Sequence, residues 1–128
     1  MVAFCYVILK NKQNAPLIIS AALVLFFCTT THAQKIKAED AKNYISQTDT
    51  VVGKVFQVHS TDKALYINIG AKYPDNPFTA VIFAKDKDKF GGVQSYNGKT
   101  VEIIGVIIEY NGKPEIVMSE VKQIVVVE

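Results

Sequence analysis

The residues of this sequence best suited to chemistry are Tyr66, Asn68, Tyr73 and Phe83, and the chemistry they suit is binding. Aromatic faces stack on planar rings, and an amide both donates and accepts hydrogen bonds. Lys54, Lys72 and Lys85 are spaced to flank them and to meet anionic groups. Each has a structural alternative. Phe83 lies in a segment apolar on both faces, where it can equally be core. Tyr66 and Tyr73 can cover a hydrophobic body with their hydroxyls in water.

The inventory for catalysis is thin. After Ala33 the chain has one histidine, His59, and no cysteine, because Cys5 and Cys28 both precede that point. A metal site built from His and Cys is therefore excluded, and no disulfide is available there. No cofactor is expected. His59 reads as a solvated residue near a strand end. Asp86 and Asp88 alternate with Lys85, Lys87 and Lys89, which reads as a solvated charged turn rather than a carboxylate pair. Gly91-Gly92 alone is not a phosphate loop. The sequence favours a binding module over an enzyme.

Charge bears on the ligand. All fourteen basic residues are lysines; Lys10 and Lys12 precede Ala33, and the twelve that follow balance twelve Asp and Glu. The domain is formally neutral and has no arginine. Phosphate neutralisation supplies much of the affinity of a nucleic-acid binder, and arginine is the usual bidentate reader. Neither signature is strong here. With 49% hydrophobic and 20% charged residues the composition is globular, and 128 residues suffice for one domain.

The chain opens with a leader. Residues 15–31 are apolar and uncharged, follow Lys10 and Lys12, and precede Thr31-His32-Ala33. Small side chains at the first and third positions before Gln34 suit a signal peptidase. The run falls short of the roughly 20 apolar residues of a membrane span. The reading is a signal peptide over 1–33, cleaved after Ala33, and one exported domain over 34–128, without stable membrane insertion after cleavage. The alternative is an uncleaved anchor. Leu25-Phe26-Phe27 before Cys28 does not fit a lipidation signal. Residues 1–9 are apolar where a signal peptide should carry charge, which suggests a later translation start, near Val7 or Leu9.

The elements that must position the binding residues follow from pattern. Lys35 to Lys37 is a polar lead-in, and residues 38–46 read as a short helix with Ala41, Tyr44 and Ile45 on one face. Strands are expected at about 49–59, 64–70, 78–84, 100–110 and 114–118, with a last extended segment at Ile124 to Val127. Leu65, Ile67 and Ile69 point one way, Tyr66 and Asn68 the other. Gly53 suggests a bulge or sharp bend. Residues 85–90 form a helical connection, and Asn111-Gly112 a tight hairpin, with Lys113 a solvated turn residue. A helix, three strands, a helical connection and a two-stranded hairpin are the order of a five-stranded OB-fold β-barrel, all-β in class.

The residues also carry a resemblance. Ala38-Glu39-Asp40-Ala41 with Tyr44-Ile45, Val52-Gly53-Lys54-Val55, Tyr66-Ile67-Asn68-Ile69-Gly70, Tyr73-Pro74 with Pro77-Phe78-Thr79 and Phe90, Tyr96-Asn97-Gly98-Lys99-Thr100-Val101, and Tyr110-Asn111-Gly112-Lys113-Pro114-Glu115-Ile116 resemble small bacterial OB-fold domains grouped as nucleic-acid-binding by fold similarity. Some of those are exported and stand alone; others adjoin nuclease domains. The chain is broadly similar, too, to exported bacterial OB-fold proteins of the stress-related type. The resemblance implies a periplasmic or extracellular binding module for single-stranded nucleic acid or an oligosaccharide. A protein–protein adaptor is the alternative. OB-folds bind across strands two and three with adjoining loops, which is where Tyr66, Asn68, Tyr73 and Phe83 fall.

Overall fold

A computed structural model describes residues 7–10, 16–19 and 35–127. The chain divides into two units, Met1–His32 and Ala33–Glu128. In the first, strands β1 (Val7–Lys10) and β2 (Pro16–Ile19) pair antiparallel. The cleavage point after Ala33 and most of the apolar run lie outside the described residues. Among the described residues no helix is long and apolar enough to cross a membrane.

The second unit is a seven-stranded sheet of β3 (Lys35–Lys37), β4 (Thr48–Ser60), β5 (Ala64–Ile69), β6 (Phe78–Phe83), β7 (Thr100–Tyr110), β8 (Lys113–Val117) and β9 (Ile124–Val126). The strand order is β3-β4-β5-β6-β8-β7-β9, and β4 also pairs with β7. The pairing therefore runs β4-β5-β6-β8-β7 and returns to β4. These five strands close on themselves, and only β6–β8 within the ring is parallel.

Two edge strands extend the five expected. The polar lead-in Lys35–Lys37 is a parallel strand beside Thr50–Val52, and Ile124–Val126 pairs with Val101–Ile103. Residues Ala38–Tyr44 form a 3-10 helix rather than an α-helix. With three residues per turn, Ala38, Ala41 and Tyr44 share a face; the two alanines are buried and Tyr44 packs against the core. Between β6 and β7 the chain makes two 3-10 segments, Ala84–Lys89 and Val93–Tyr96, where one helical connection was expected.

Alternation fills the interior. Ile67 and Ile69 of β5, Phe78, Ala80 and Ile82 of β6, and Val101, Ile103 and Ile107 of β7 are all buried in one cluster. Strand β4 serves both halves of the ring. Thr48–Lys54 pairs with β7, and Val55–Ser60 pairs with β5. Close approach explains its glycine: a Cβ on Gly53 would overlap Ile69 Cγ2 and sit 3.1 Å from Ala38 Cβ. Its pairing with Val101 is regular, so the bulge lies elsewhere. The register shifts between Val55 and Gln57, making Phe56 the extra residue.

That shift reverses parity. Val51 and Val55 face the interior at even spacing, whereas the next inward side chain is Val58. Gln57 and His59 are thereby turned outward, onto the face carrying Tyr66 and Asn68.

Candidate functional site

A groove of about 580 Å³ lies over the outer face of β4, β5, β6 and β8, beneath the β5–β6 loop and the β7–β8 hairpin. Its floor is two cross-strand rows fixed by register. Gln57, Asn68, Thr79 and Glu115 stand side by side in one; the other is His59, Tyr66, Val81 and Val117, of which His59 and Tyr66 line the groove. Neighbouring strands lie about 4.8 Å apart, so each row crosses the sheet without a gap.

The first row is wired together. Asn68 Nδ2 donates to Gln57 Oε1 at 3.1 Å, which also accepts from the backbone N–H of Tyr73 at 3.3 Å. Asn76, from the β5–β6 loop, is the hub. Its Nδ2 donates to Thr79 Oγ1 at 2.7 Å, to the Phe78 carbonyl at 3.1 Å and to Asn68 Oδ1 at 3.3 Å. Lys113 Nζ donates to Asn76 Oδ1 at 3.4 Å and to the Pro74 carbonyl, and it lies 5.5 Å from the Tyr73 ring centroid. The network ties loop, sheet and hairpin into one wall. Because the polar groups are paired, burying Asn68 and Asn76 carries no desolvation debt.

Four aromatic rings line the groove. His59 stacks on Tyr66, with centroids 6.4 Å apart and planes at 24°. Tyr73 and Tyr110 stand at the rim, 71% and 62% exposed. Glu115 differs from the other polar groups of its row, Gln57, Asn68 and Thr79. It enters no ion pair or side-chain hydrogen bond among the described residues, and partial burial raises its pKa above the usual carboxylate value.

Of the residues chosen from sequence, Tyr66, Asn68 and Tyr73 line this groove. Phe83, Lys54, Lys72 and Lys85 do not. Phe83 is neither core nor groove: at the end of β6, opposite Ala64, it is 46% exposed. Lys54 stands over the Phe56 ring at 5.6 Å. Lys72 and Lys85 are exposed, on the β5–β6 loop and the Ala84–Lys89 turn. Lys113, expected to be a solvated turn residue, is the one lysine among the lining residues. Asp86 is buried and paired with Lys89 at 2.8 Å, so only Asp88 fits the solvated turn.

Sequence reasoning did not single out Gln57, Tyr110 or Glu115. A usable signal existed for Tyr110. The Asn111-Gly112 turn, with positive φ at both residues, fixes Tyr110 opposite Lys113. Among the described residues no group of three or more His, Cys, Asp or Glu is placed to hold a metal ion. The groove can stack planar groups, exchange hydrogen bonds through amides and hydroxyls, and present one cation beside one carboxyl.

No protein-family model matches the sequence, and a comparison with curated proteins finds no relative. Solved structures do match in shape. One is a protein assigned as an aspartyl-tRNA synthetase from Leishmania major Friedlin, with TM-score 0.55 and 10% identity over 79% of this chain and 22% of that one. Another is the asparaginyl-tRNA synthetase from Pyrococcus horikoshii, with TM-score 0.50 and 14% identity over 75% of this chain and 23% of that one. This chain thus spans less than a quarter of either synthetase. At such identity the likeness concerns the fold alone, and together with the strand order it fits an OB-fold.

Proposed function

We propose that this chain is an exported, non-catalytic OB-fold binding module that takes a short run of unpaired nucleotides in the groove over β4, β5, β6 and β8. The observation that carries the reading is the wired amide and hydroxyl floor flanked by four aromatic rings. Bases stack on Tyr66, Tyr73 and Tyr110, while Gln57 and Asn111 offer amide groups to base edges. The fold likeness to proteins named as tRNA synthetases supports a nucleic-acid ligand. The charge of the groove says how it is held. With Lys113 as its one lysine, contact is chiefly to bases and little to phosphates.

Titrating the chain with a labelled single-stranded octanucleotide at low and high salt tests this. The affinity should fall with salt at a log–log slope no steeper than about −0.7, the value for one phosphate contact on a single strand. Tyr66→Ala should weaken binding by about 5- to 150-fold, the worth of one stacked base. No binding at low salt removes the nucleic-acid reading. An oligosaccharide can use the same rings, so a neutral oligosaccharide belongs in the titration as competitor.

Export has its own test. Protein recovered from outside the cytoplasm should begin at Gln34 by N-terminal mass spectrometry. Recovery of the full-length chain from the cytoplasm alone would remove that part of the reading.

A second reading, an exported adaptor for another protein, is favoured by one feature. Ile104 and Val106 of β7 and Val125 of β9 are exposed on the outer side of the ring, away from the groove. In that reading ligand titrations fail while Val106→Lys abolishes a protein complex.

A further inference from the structure

Resting on the reading of the groove as a site for unpaired bases, we propose that Glu115 is its specificity-determining residue, accepting a pair of adjacent N–H donors from the ligand and so selecting guanine. The argument starts from what the other acceptors do. Gln57 Oε1 takes hydrogen bonds from Asn68 and from the Tyr73 backbone. Asn68 Oδ1 takes them from Asn76 and Thr79. Asn76 Oδ1 takes one from Lys113. Each of these side-chain acceptors on the floor is already engaged. Glu115 continues the same row beside Thr79, and its two oxygens have no donor among the described residues.

The nearby cation does not quench it. Lys113 is two residues away on the same face of β8, yet its ammonium is directed to Pro74, Asn76 and the Tyr73 ring. A partly buried carboxylate without a partner is costly, and the raised pKa of this carboxyl reflects that desolvation. A ligand that supplies donors removes the cost.

The bases differ in what they supply. An ionised carboxylate only accepts, and it does so through two oxygens side by side. Guanine presents N1–H and N2–H adjacent on one edge, matching both. Cytosine and adenine present one amino group beside a ring-nitrogen acceptor, which opposes the second oxygen. Thymine and uracil present one N–H between two carbonyls and are disfavoured most. The same carboxylate repels phosphate, so it discriminates against a backbone lying over this part of the floor.

The test uses the chain with labelled octanucleotides, monitored by fluorescence anisotropy. One is all thymine. The others carry a single central guanine, hypoxanthine or cytosine; one guanine alone avoids four-stranded assemblies. The guanine strand should bind about 5- to 150-fold more tightly than all-thymine, the worth of a bidentate base contact. Hypoxanthine, lacking the N2 amino group, should fall between them. Glu115→Gln should bring guanine and thymine within about twofold of one another. Glu115→Asp, which keeps the charge but withdraws it by one methylene, should keep part of the preference. Circular dichroism verifies that both variants fold.

Equal affinities for guanine and thymine in the unaltered chain overturn the proposal and leave the groove reading intact. A guanine preference that survives Glu115→Gln does the same. If no oligonucleotide binds at low salt, the underlying reading falls and this inference falls with it. A neutral oligosaccharide that binds and is lost in Glu115→Gln would assign the carboxylate to sugar hydroxyls, and base selection would be overturned.

Discussion

Substituting Asn76 by alanine is expected to lower the unfolding free energy by about 3 kcal/mol and to loosen the groove at the same time. The residue is 2% exposed, and its one side chain serves four partners. Truncation leaves the Phe78 carbonyl without its side-chain donor at a buried position, and Asn68 Oδ1 with the Thr79 hydroxyl alone. An orphaned buried acceptor costs about 1–3 kcal/mol, far more than a net hydrogen bond returns. It also releases one of the two acceptors that hold Lys113 against the β5–β6 loop. For a domain of this size, thermal unfolding followed by circular dichroism should drop by roughly 10–20 °C. A shift under about 2 °C would mean that water replaces the amide without loss, and the wall would then owe its order to something else.

Phe78→Ala should cost about 3–5 kcal/mol, the usual penalty for emptying a large aromatic site in a packed core. Phe78 is completely buried, pairs across to Ile69 and opens the strand that forms the groove floor. The comparison with Asn76→Ala is informative because the two residues are neighbours with different jobs. The Phe78 side chain faces the interior, and only its backbone carbonyl joins the polar network. Well below its melting point, Phe78→Ala should therefore retain most ligand affinity, whereas Asn76→Ala should not. Chemical denaturation gives the first quantity and anisotropy titration the second. If Phe78→Ala lost affinity in proportion to stability, floor and core would be one cooperative unit. The double variant should not be additive, since a backbone shift at the emptied Phe78 site moves the carbonyl that Asn76 holds.

Much of the barrel was legible from residue pattern. Strand β7 was expected over Thr100–Tyr110 and lies there. The alternation of Leu65, Ile67 and Ile69 gave the inward face of β5, and Asn-Gly gave the hairpin. Each is a local signal, written within a few neighbouring residues. What escaped was non-local. Lys35–Lys37 has the composition of a loop and becomes a strand only because β4 offers it a parallel edge. Val93–Tyr96 follows two glycines and carries no helical period worth reading.

The candidate site divides the same way. Tyr66 and Asn68 were legible because β5 alternates cleanly. Glu115 was not, because its place beside Thr79 comes from a parallel pairing between segments separated by the whole β7 hairpin. Of the lysines expected to flank the aromatic residues, none lines the groove, and Lys54 stands over Phe56 instead. The turn position of Lys113 reads as solvated, yet that turn carries it to the rim, where the Pro74 carbonyl, Asn76 Oδ1 and the Tyr73 ring hold it.

The extra residue at Phe56 acts on the pleat of β4 as a frameshift acts on a message. Upstream of it, residues in step with Val51 and Val55 belong to the interior; downstream, Gln57 and His59 keep that step but belong to the groove. Were the same residues to alternate strictly through this point, without the bulge, an amide and an imidazole would turn inward and Val58 outward. Comparison of this strand with any other barrel thus depends on where a single gap is set, and a gap set a few residues away assigns the wrong side chains to the binding face.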